Sequence, residues 1–272
     1  MTLNAKCMKD KAREARGQVN EAQIGIYESC TQNQLEQLLK SNASKERTIA
    51  AILMGKKTLI ESIPNLLEAL QTEKSLYSKI AISETLGLLG EPAVTGLVKL
   101  LGVIDNNQET ELPIKYFDKK SYPLPRDIAA RTLVKIGSPA IPELLQTAQS
   151  AKLYVLSEAI DAIGNIASNT NDPQSLNYML EALNAHRSDS FLTWKYVRAL
   201  SGFKVESVIQ PLVEAYEKNI EPAIRWECIR SLGQVGILTP EVEVLLAKAL
   251  EDENGEVRKA AEISIGQMLC YN

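Results

Sequence analysis

Histidine is almost missing from this chain: His186 is the one copy in 272 residues. A helical HExxH zinc site and a multi-histidine iron centre each need two or more imidazoles, so both are excluded. A Ser–His–Asp arrangement would have to use His186, and no nucleophile-elbow motif accompanies it. His186 lies in "ALNAHRSDSF", at a predicted helix end, where a lone imidazole meets the helix dipole or solvent. The four cysteines, Cys7, Cys30, Cys228 and Cys270, are widely spaced and form no CxxC pair, so no metal or redox motif is present. No stretch approaches the 18 or so consecutive apolar residues of a spanning helix. The opening "MTLNAKCMKDKAREARGQVN" is polar, with no apolar core of a secretory signal. These absences set the expectations: a reduced, cytoplasmic protein with no metal, no cofactor and no membrane insertion.

Neither sign of charge dominates, with 30 basic and 34 acidic residues and a net charge of -4. That balance gives no long-range attraction for nucleic acid and argues against it as a partner. The charge is graded along the chain: residues 1–60 carry +4, residues 61–150 carry -2 and residues 151–272 carry -6. Two local patterns imitate motifs without completing them. "AAILMGKKT" offers Gly55, Lys56 and Thr58 in the manner of a phosphate loop, but Ala50 stands where its first glycine belongs and no strand precedes it. "NAS" at Asn42 is a formal glycosylation sequon with no meaning in a cytoplasmic protein.

What is present is a repeat. "AISETLGLLG", "AARTLVKIG", "SEAIDAIGNIA", "KYVRALSGF", "ECIRSLGQVG" and "AAEISIGQML" share one pattern, anchored at Leu86, Leu133, Ile163, Leu200, Leu232 and Ile265. A small residue precedes each anchor (Thr85, Thr132, Ala162, Ala199, Ser231, Ser264), and an apolar one follows three positions later. The intervals of 47, 30, 37, 32 and 33 residues indicate stacked supersecondary units with one large insertion. Positions four before, at and three after the anchor fall on one helical face, and the small neighbour permits close approach of the next helix. After the anchor helix, Gly90, Gly137 and Gly236 suit a left-handed helix end, and Pro92, Pro139 and Pro240 suit the first turn of a second helix. Each unit therefore reads as a pair of antiparallel helices whose apolar face only its neighbours can bury.

The pattern resembles the HEAT repeat, in the subtype named for bilin (phycobiliprotein) lyases. "NGEVRKAAEISIGQML" is the best match, with "IRWECIRSLGQVG" next. Basic residues seven before the anchor, Lys79, Arg126, Arg225 and Arg258, fit its Val-Arg element, while Leu156 and Thr193 depart from it. A degenerate earlier copy lies around "ERTIAAILMG", anchored near Ile52. The resemblance implies an all-α fold: a right-handed α-solenoid of about seven HEAT-like helix pairs over residues 32–272, the last pair lacking its second helix. Residues 1–31 are expected to form an N-terminal arm or capping helix.

Two features stand above this background. "WKYVR" and "WECIR" share one register, with Trp194 and Trp226 six before the anchor and Arg198 and Arg230 two before it. The spacing of four brings each tryptophan and arginine within cation–π reach. Their offset from the apolar stripe places both pairs on the outer flank, as packing between helices or as a hot spot for a protein partner. The second feature is the insertion at about residues 103–124, between a helix expected to end near Gly102 and one expected to begin near Pro125 or Arg126. Leu112, Ile114, Tyr116, Phe117, Tyr122 and Leu124 make it too apolar for a free tether, so it is expected to dock for structural or binding reasons.

The candidate partner-binding residues are thus Trp194, Arg198, Trp226, Arg230, Tyr116, Phe117, Tyr122 and Arg126, with no catalytic residue assigned. The expected function is a non-catalytic scaffold or adaptor for a protein or peptide. The resemblance also implies two alternatives. One is a bilin-lyase-like enzyme subunit that acts with a partner on a tetrapyrrole. The other is a DNA-binding protein akin to the HEAT-like alkylpurine glycosylases. HEAT-like deoxyhypusine hydroxylases carry His–Glu pairs, and this chain has none.

Overall fold

The fold is that of a computed structural model describing residues 11–104, 106–113, 123–150 and 152–271, without the side chains of Ser150, Cys270 and Tyr271. The described residues are helical throughout their regular elements. The chain resolves into two compact units, residues 1–105 and residues 106–272.

The first unit holds α1 (Glu21–Gly25), α2 (Gln32–Leu39), α3 (Ser44–Lys56), α4 (Ile63–Thr72), α5 (Leu76–Leu89) and α6 (Val94–Val98). The second holds α7 (Ile128–Ile136), α8 (Ile141–Ser150), α9 (Leu153–Thr170), α10 (Leu176–Ala185), α11 (Ser190–Leu200), α12 (Ile209–Lys218), α13 (Pro222–Val235), α14 (Pro240–Ala249) and α15 (Gly255–Tyr271). Each odd-numbered helix from α3 onward carries an anchor, and each even-numbered one follows it across a short break. Both units are therefore repeat stacks of helix pairs, the all-α solenoid class expected from the period, and α15 ends the second without a described mate. The anchors Leu86, Leu133, Ile163, Leu200 and Leu232 are fully buried.

The breaks use glycine and proline much as their chemistry dictates. Gly236 ends α13 in the left-handed region, at φ 74 and ψ 11. Gly90 and Gly137 share the positive φ but have ψ near -142 and -146, a region open only to residues without a Cβ rather than the left-handed helix end expected. Pro92 and Pro139 sit in 3-10 turns that lead into α6 and α8, while Pro240 opens α14 behind the Thr239 cap.

Close approach between successive odd helices has a hydrogen-bond signature. The small hydroxyl residue one before the anchor donates to a main-chain carbonyl three before the previous anchor. Ser231 Oγ reaches the Val197 carbonyl at 3.1 Å and Ser264 Oγ the Ile229 carbonyl at 3.0 Å. In the first unit Thr85 Oγ1 reaches the Ala51 carbonyl at 2.7 Å. That geometry corrects the register of the degenerate repeat: its anchor is the fully buried Met54, not the half-buried Ile52. Two further matches agree. Arg47, seven before Met54, pairs with Glu73 and donates to the Ser41 and Asn42 carbonyls. Arg225 does the same with Asp252 and the Asn219 and Ile220 carbonyls. Thr58, four after Met54, holds a positive φ of 52 where the Leu86, Leu133 and Leu232 repeats place Gly90, Gly137 and Gly236.

The N-terminal segment is packed on the first unit over its described part. Ser44 Oγ donates to the Ala15 carbonyl, the Tyr77 amide to the Arg16 carbonyl, and Lys45 pairs with Glu14 at 2.8 Å. The helix after the insertion begins later than expected. Asp127 is its N-cap, its carboxylate accepting from the Ala130 amide at 2.9 Å, so Pro125 and Arg126 precede the helix rather than open it.

Candidate functional site

Three odd helices of the second unit carry a run of charges that their neighbours lack. Counting from the anchor, positions -5 and -2 lie three residues apart and share one helical face. They hold Glu158 and Asp161 on α9, Lys195 and Arg198 on α11, and Glu227 and Arg230 on α13. Position -2 is exposed at Glu84 on α5, Arg131 on α7 and Ile263 on α15, yet buried at Asp161, Arg198 and Arg230. Position -2 is thus solvent-facing on α5, α7 and α15 and covered on α9, α11 and α13.

The insertion supplies part of the cover. Glu109, outside any helix, places Oε2 at 2.8 Å from Lys195 Nζ and 2.7 Å from Arg198 Nη2. Asp161 meets the same two cations from the neighbouring helix, with Oδ2 2.7 Å from Lys195 Nζ and both oxygens 2.7 Å from Arg198 Nη2. Lys195 is fully buried and would be untenable without these carboxylates. The segment is fastened by its other side chains too. Asn107 donates to the Arg126 carbonyl, Gln108 to Asp127, and Asn165 on α9 to the Pro123 carbonyl. Arg126 stands 3.4 Å from Glu109 Oε1 and is half exposed.

The electrostatics follow from this geometry. Burial alone would raise the Glu109 carboxyl, but Arg198 and Lys195 outweigh it and hold it down at about 2. Arg198 is penalised by burial, and Asp161 and Glu109 more than compensate, fixing its charge. Glu158 has no such help: burial and then the Asp161 charge push it up to about 8. Neither of its oxygens has a hydrogen-bond partner. On α13, Glu227 accepts from Trp194 Nε1 at 3.1 Å and from Arg230 Nε at 2.7 Å. Arg230 Nη2 also lies 2.5 Å from that carboxylate. Neither Nη group of Arg230 makes a hydrogen bond, although the residue is only 8% exposed.

The sequence placed both tryptophan–arginine pairs on an outer flank, and the structure corrects that. Trp194 is 0% and Trp226 3% exposed. The physical reason is inter-repeat packing: Trp194 reaches the carboxylate of the next repeat while Arg198 stacks over its ring at 4.3 Å. The cation–π pairing itself is present in both copies, with Arg230 at 5.8 Å from Trp226. The site gathers Trp194, Arg198, Trp226, Arg230 and Arg126, while Tyr116, Phe117 and Tyr122 lie outside the described residues. Sequence reasoning missed Glu109, Asp161, Glu158, Lys195 and Glu227. Extending the anchor alignment to position -5 would have found the last three, and the charge at Asp161 was legible at position -2.

His186 caps the C-terminus of α10 and stacks on Tyr196 at 5.6 Å, in the structural place expected of it. Among the described residues no three metal-ligating side chains converge, and no helix is long and apolar enough to cross a membrane.

A family model of HEAT repeats matches residues 192–266, which span α11 to α15. No curated protein matches the chain. Among solved structures, human deoxyhypusine hydroxylase in complex with glycerol is 16% identical, covering 96% of each chain at a TM-score of 0.38. A designed armadillo repeat protein in complex with the peptide (KR)4 is 20% identical, covering 88% of this chain and 100% of that one at 0.43. The CpcE–CpcF complex of phycocyanin lyase from Nostoc sp. PCC7120 is 18% identical, covering 88% and 95% at 0.36. At these scores none of the three speaks to what this chain does. Residues 192–266 thus match HEAT repeats, in keeping with the helix pairs that α11 to α15 form.

Proposed function

We propose that the chain is a non-catalytic scaffold that binds a protein or peptide across the charged face of α9, α11 and α13. The observation that carries this reading is the recurrence of buried charge at positions -5 and -2 of three successive repeats. Stability does not require it. A well-packed apolar set at the same positions would serve as well or better, since desolvating ions costs several kcal/mol apiece. Helix α3 of the first unit takes that course, with Ile49 and Ile52 at these positions. Charge aligned once per repeat is instead the means by which a repeat stack reads a partner running across its helices. No side chain on this face is poised as a nucleophile with an adjacent base, so the chemistry offered is recognition.

Affinity capture on the immobilised full chain tests this, comparing Arg230→Glu with Lys248→Glu, an exposed change on α14. Partners held by the unmodified chain should be lost with Arg230→Glu and kept with Lys248→Glu, both variants retaining native circular dichroism. Identical capture by both variants would remove the charged face from consideration.

A further inference from the structure

We infer that the partner of this face is an acidic, extended peptide segment, and that Glu109 is its built-in competitor. The inference rests on the binding reading above and specifies the chemistry of that partner.

The charges at the covered face show an asymmetry between fixed and exchangeable groups. Lys195 and Arg198 carry two positive charges and are answered by two carboxylates, Asp161 and Glu109. Asp161 is built into α9 and cannot leave without unravelling the repeat. Glu109 belongs to a stretch with no helix or strand, 86 and 89 positions away from the cations it meets. With Glu109 withdrawn, Asp161 would be the one carboxylate bonded to both buried cations, with Glu227 and Glu158 acting only at longer range, and that imbalance favours another carboxylate in the place. The site therefore already shows the ligand group it accepts: a carboxylate on an irregular, extended chain.

Arg230 provides a second, independent sign. It occupies the same register one repeat further on and is more than nine-tenths buried; its Nη2 lies 2.5 Å from Glu227 Oε1, while its Nη1 finds no hydrogen-bond acceptor. A buried guanidinium with unmet donors calls for an anion, and a planar carboxylate is the matching acceptor. Glu227 Oε1 occupies the Nε and Nη2 edge, which leaves Nη1 for a second carboxylate. An acidic peptide crossing α11 and α13 would thus set one carboxylate on Arg230 and a second on Lys195 and Arg198 in exchange for Glu109. A basic peptide meets the reverse: the cations repel it, Asp161, Glu109 and Glu227 are already engaged, and the unpartnered Glu158 is kept neutral by burial and the Asp161 charge.

Glu109 held in place lowers the affinity for any external carboxylate by the fraction of time the site is free. The test is fluorescence anisotropy of labelled octaglutamate and octalysine against the full chain, the Glu109→Gln variant and the Arg230→Gln variant. Glu109→Gln should bind octaglutamate about tenfold more tightly than the unmodified chain, and Arg230→Gln about tenfold more weakly. Octalysine should bind none of the three. Equal octaglutamate affinity for the unmodified chain and Glu109→Gln would overturn the competitor role. Preference for octalysine, or indifference to Arg230→Gln, would overturn the acidic partner. Should Glu109→Gln fail to fold, the Arg230→Gln comparison and the octalysine control decide the partner's charge by themselves. Arg230-dependent capture of a natural partner alongside a failed octaglutamate assay would discard this inference and leave the scaffold reading standing.

Discussion

The two units are built on one repeat grammar and differ in how they fill the same two positions. In the first unit, positions -5 and -2 hold Ile49 and Ile52 on α3 and Ala81 and Glu84 on α5. In the second they hold the ionisable side chains of Glu158, Asp161, Lys195, Arg198, Glu227 and Arg230 on three successive odd-numbered helices. Features that set the helix spacing are shared: the hydroxyl-to-carbonyl bonds of Thr85, Ser231 and Ser264, and the arginine clamps of Arg47 and Arg225. The lesson is that the shared positions carry architecture, while the two that diverge carry whatever is particular to this chain.

The sharpest way to break the comparison is one substitution at the same register position in each unit. Asp161→Ala leaves Glu109 as the one carboxylate bonded to the buried Lys195 and Arg198, and breaking that buried pair should cost about 3–5 kcal/mol. Glu84→Ala removes an exposed carboxylate and should stay within about 0.5 kcal/mol. Denaturant unfolding of the full chain, followed by hydrogen exchange to assign the loss to α9 and α11, makes the measurement. Comparable losses would mean that the buried cluster is no more demanding than a surface position.

A pH profile comes next in size. Glu158 is pushed up to about 8 in the folded chain, against 4.5 for an ordinary carboxyl. The folded state then binds the extra proton between those values, so its stability falls as pH rises from about 4.5 through 8, by at most about 1.4 kcal/mol per pH unit. Glu109, held at about 2, acts in the opposite direction and on the acid side: its contribution is lost as pH falls from 4.5 toward 2. Glu158→Gln should flatten the alkaline decline of hydrogen-exchange protection in α9. Protection in α3 should be unchanged by the variant, because the first unit has no described carboxyl raised in this way.

Much of this was legible from residue order alone. The anchors, the small residue beside each and the Gly/Pro breaks dictated helix pairs, and the paired helices are there. The register of α3 was misread because Ala51 stands before Ile52 as the small residue stands before an anchor elsewhere, while the bulky Leu53 precedes Met54. Only the Thr85 bond and the Arg47 clamp reveal it. The placement of Trp194 failed for a different reason. An angular offset from the apolar stripe looks like exposure on an isolated helix, but in a stack that flank is where the next repeat's Glu227 arrives. Glu109 was beyond reach, since its partners lie 86 and 89 positions away and no periodicity links a loop to them.

The arginine clamps should show equality rather than contrast. Arg47 donates to both Glu73 oxygens, at 2.7 and 2.9 Å, and Arg225 to both Asp252 oxygens, at 2.8 and 3.0 Å. Each also satisfies carbonyls five and six residues back, which tie the helix start to its preceding loop. Arg47→Ala and Arg225→Ala should each cost about 1–3 kcal/mol, typical of charge-assisted bonds in partly buried settings. Lysine at either place keeps the charge but cannot span carboxylate and carbonyl together, so it should recover less than half of the loss. A large inequality between the units would mean that the clamps are not a common energetic element of the two stacks.

The smallest expected effect tests the spacing itself. Ser264 sits where a Cβ added to Gly233 would lie 2.4 Å from its Oγ, so α13 and α15 touch at this pair. Ser264→Ala keeps the close approach and removes the bond to the Ile229 carbonyl, at a cost of about 0.5–1.5 kcal/mol. Gly233→Ala forces the helices apart and should cost more, about 1–3 kcal/mol, as overpacking does. Combining the two relieves only the Oγ clash, because the Ser264 Cβ and Cα remain 2.7 and 3.0 Å from the added methyl. The double variant should therefore lie below the sum of the single losses but above Ser264→Ala alone. Strict additivity would mean that the helix spacing is set elsewhere, and that the small residue beside each anchor is permissive rather than determining.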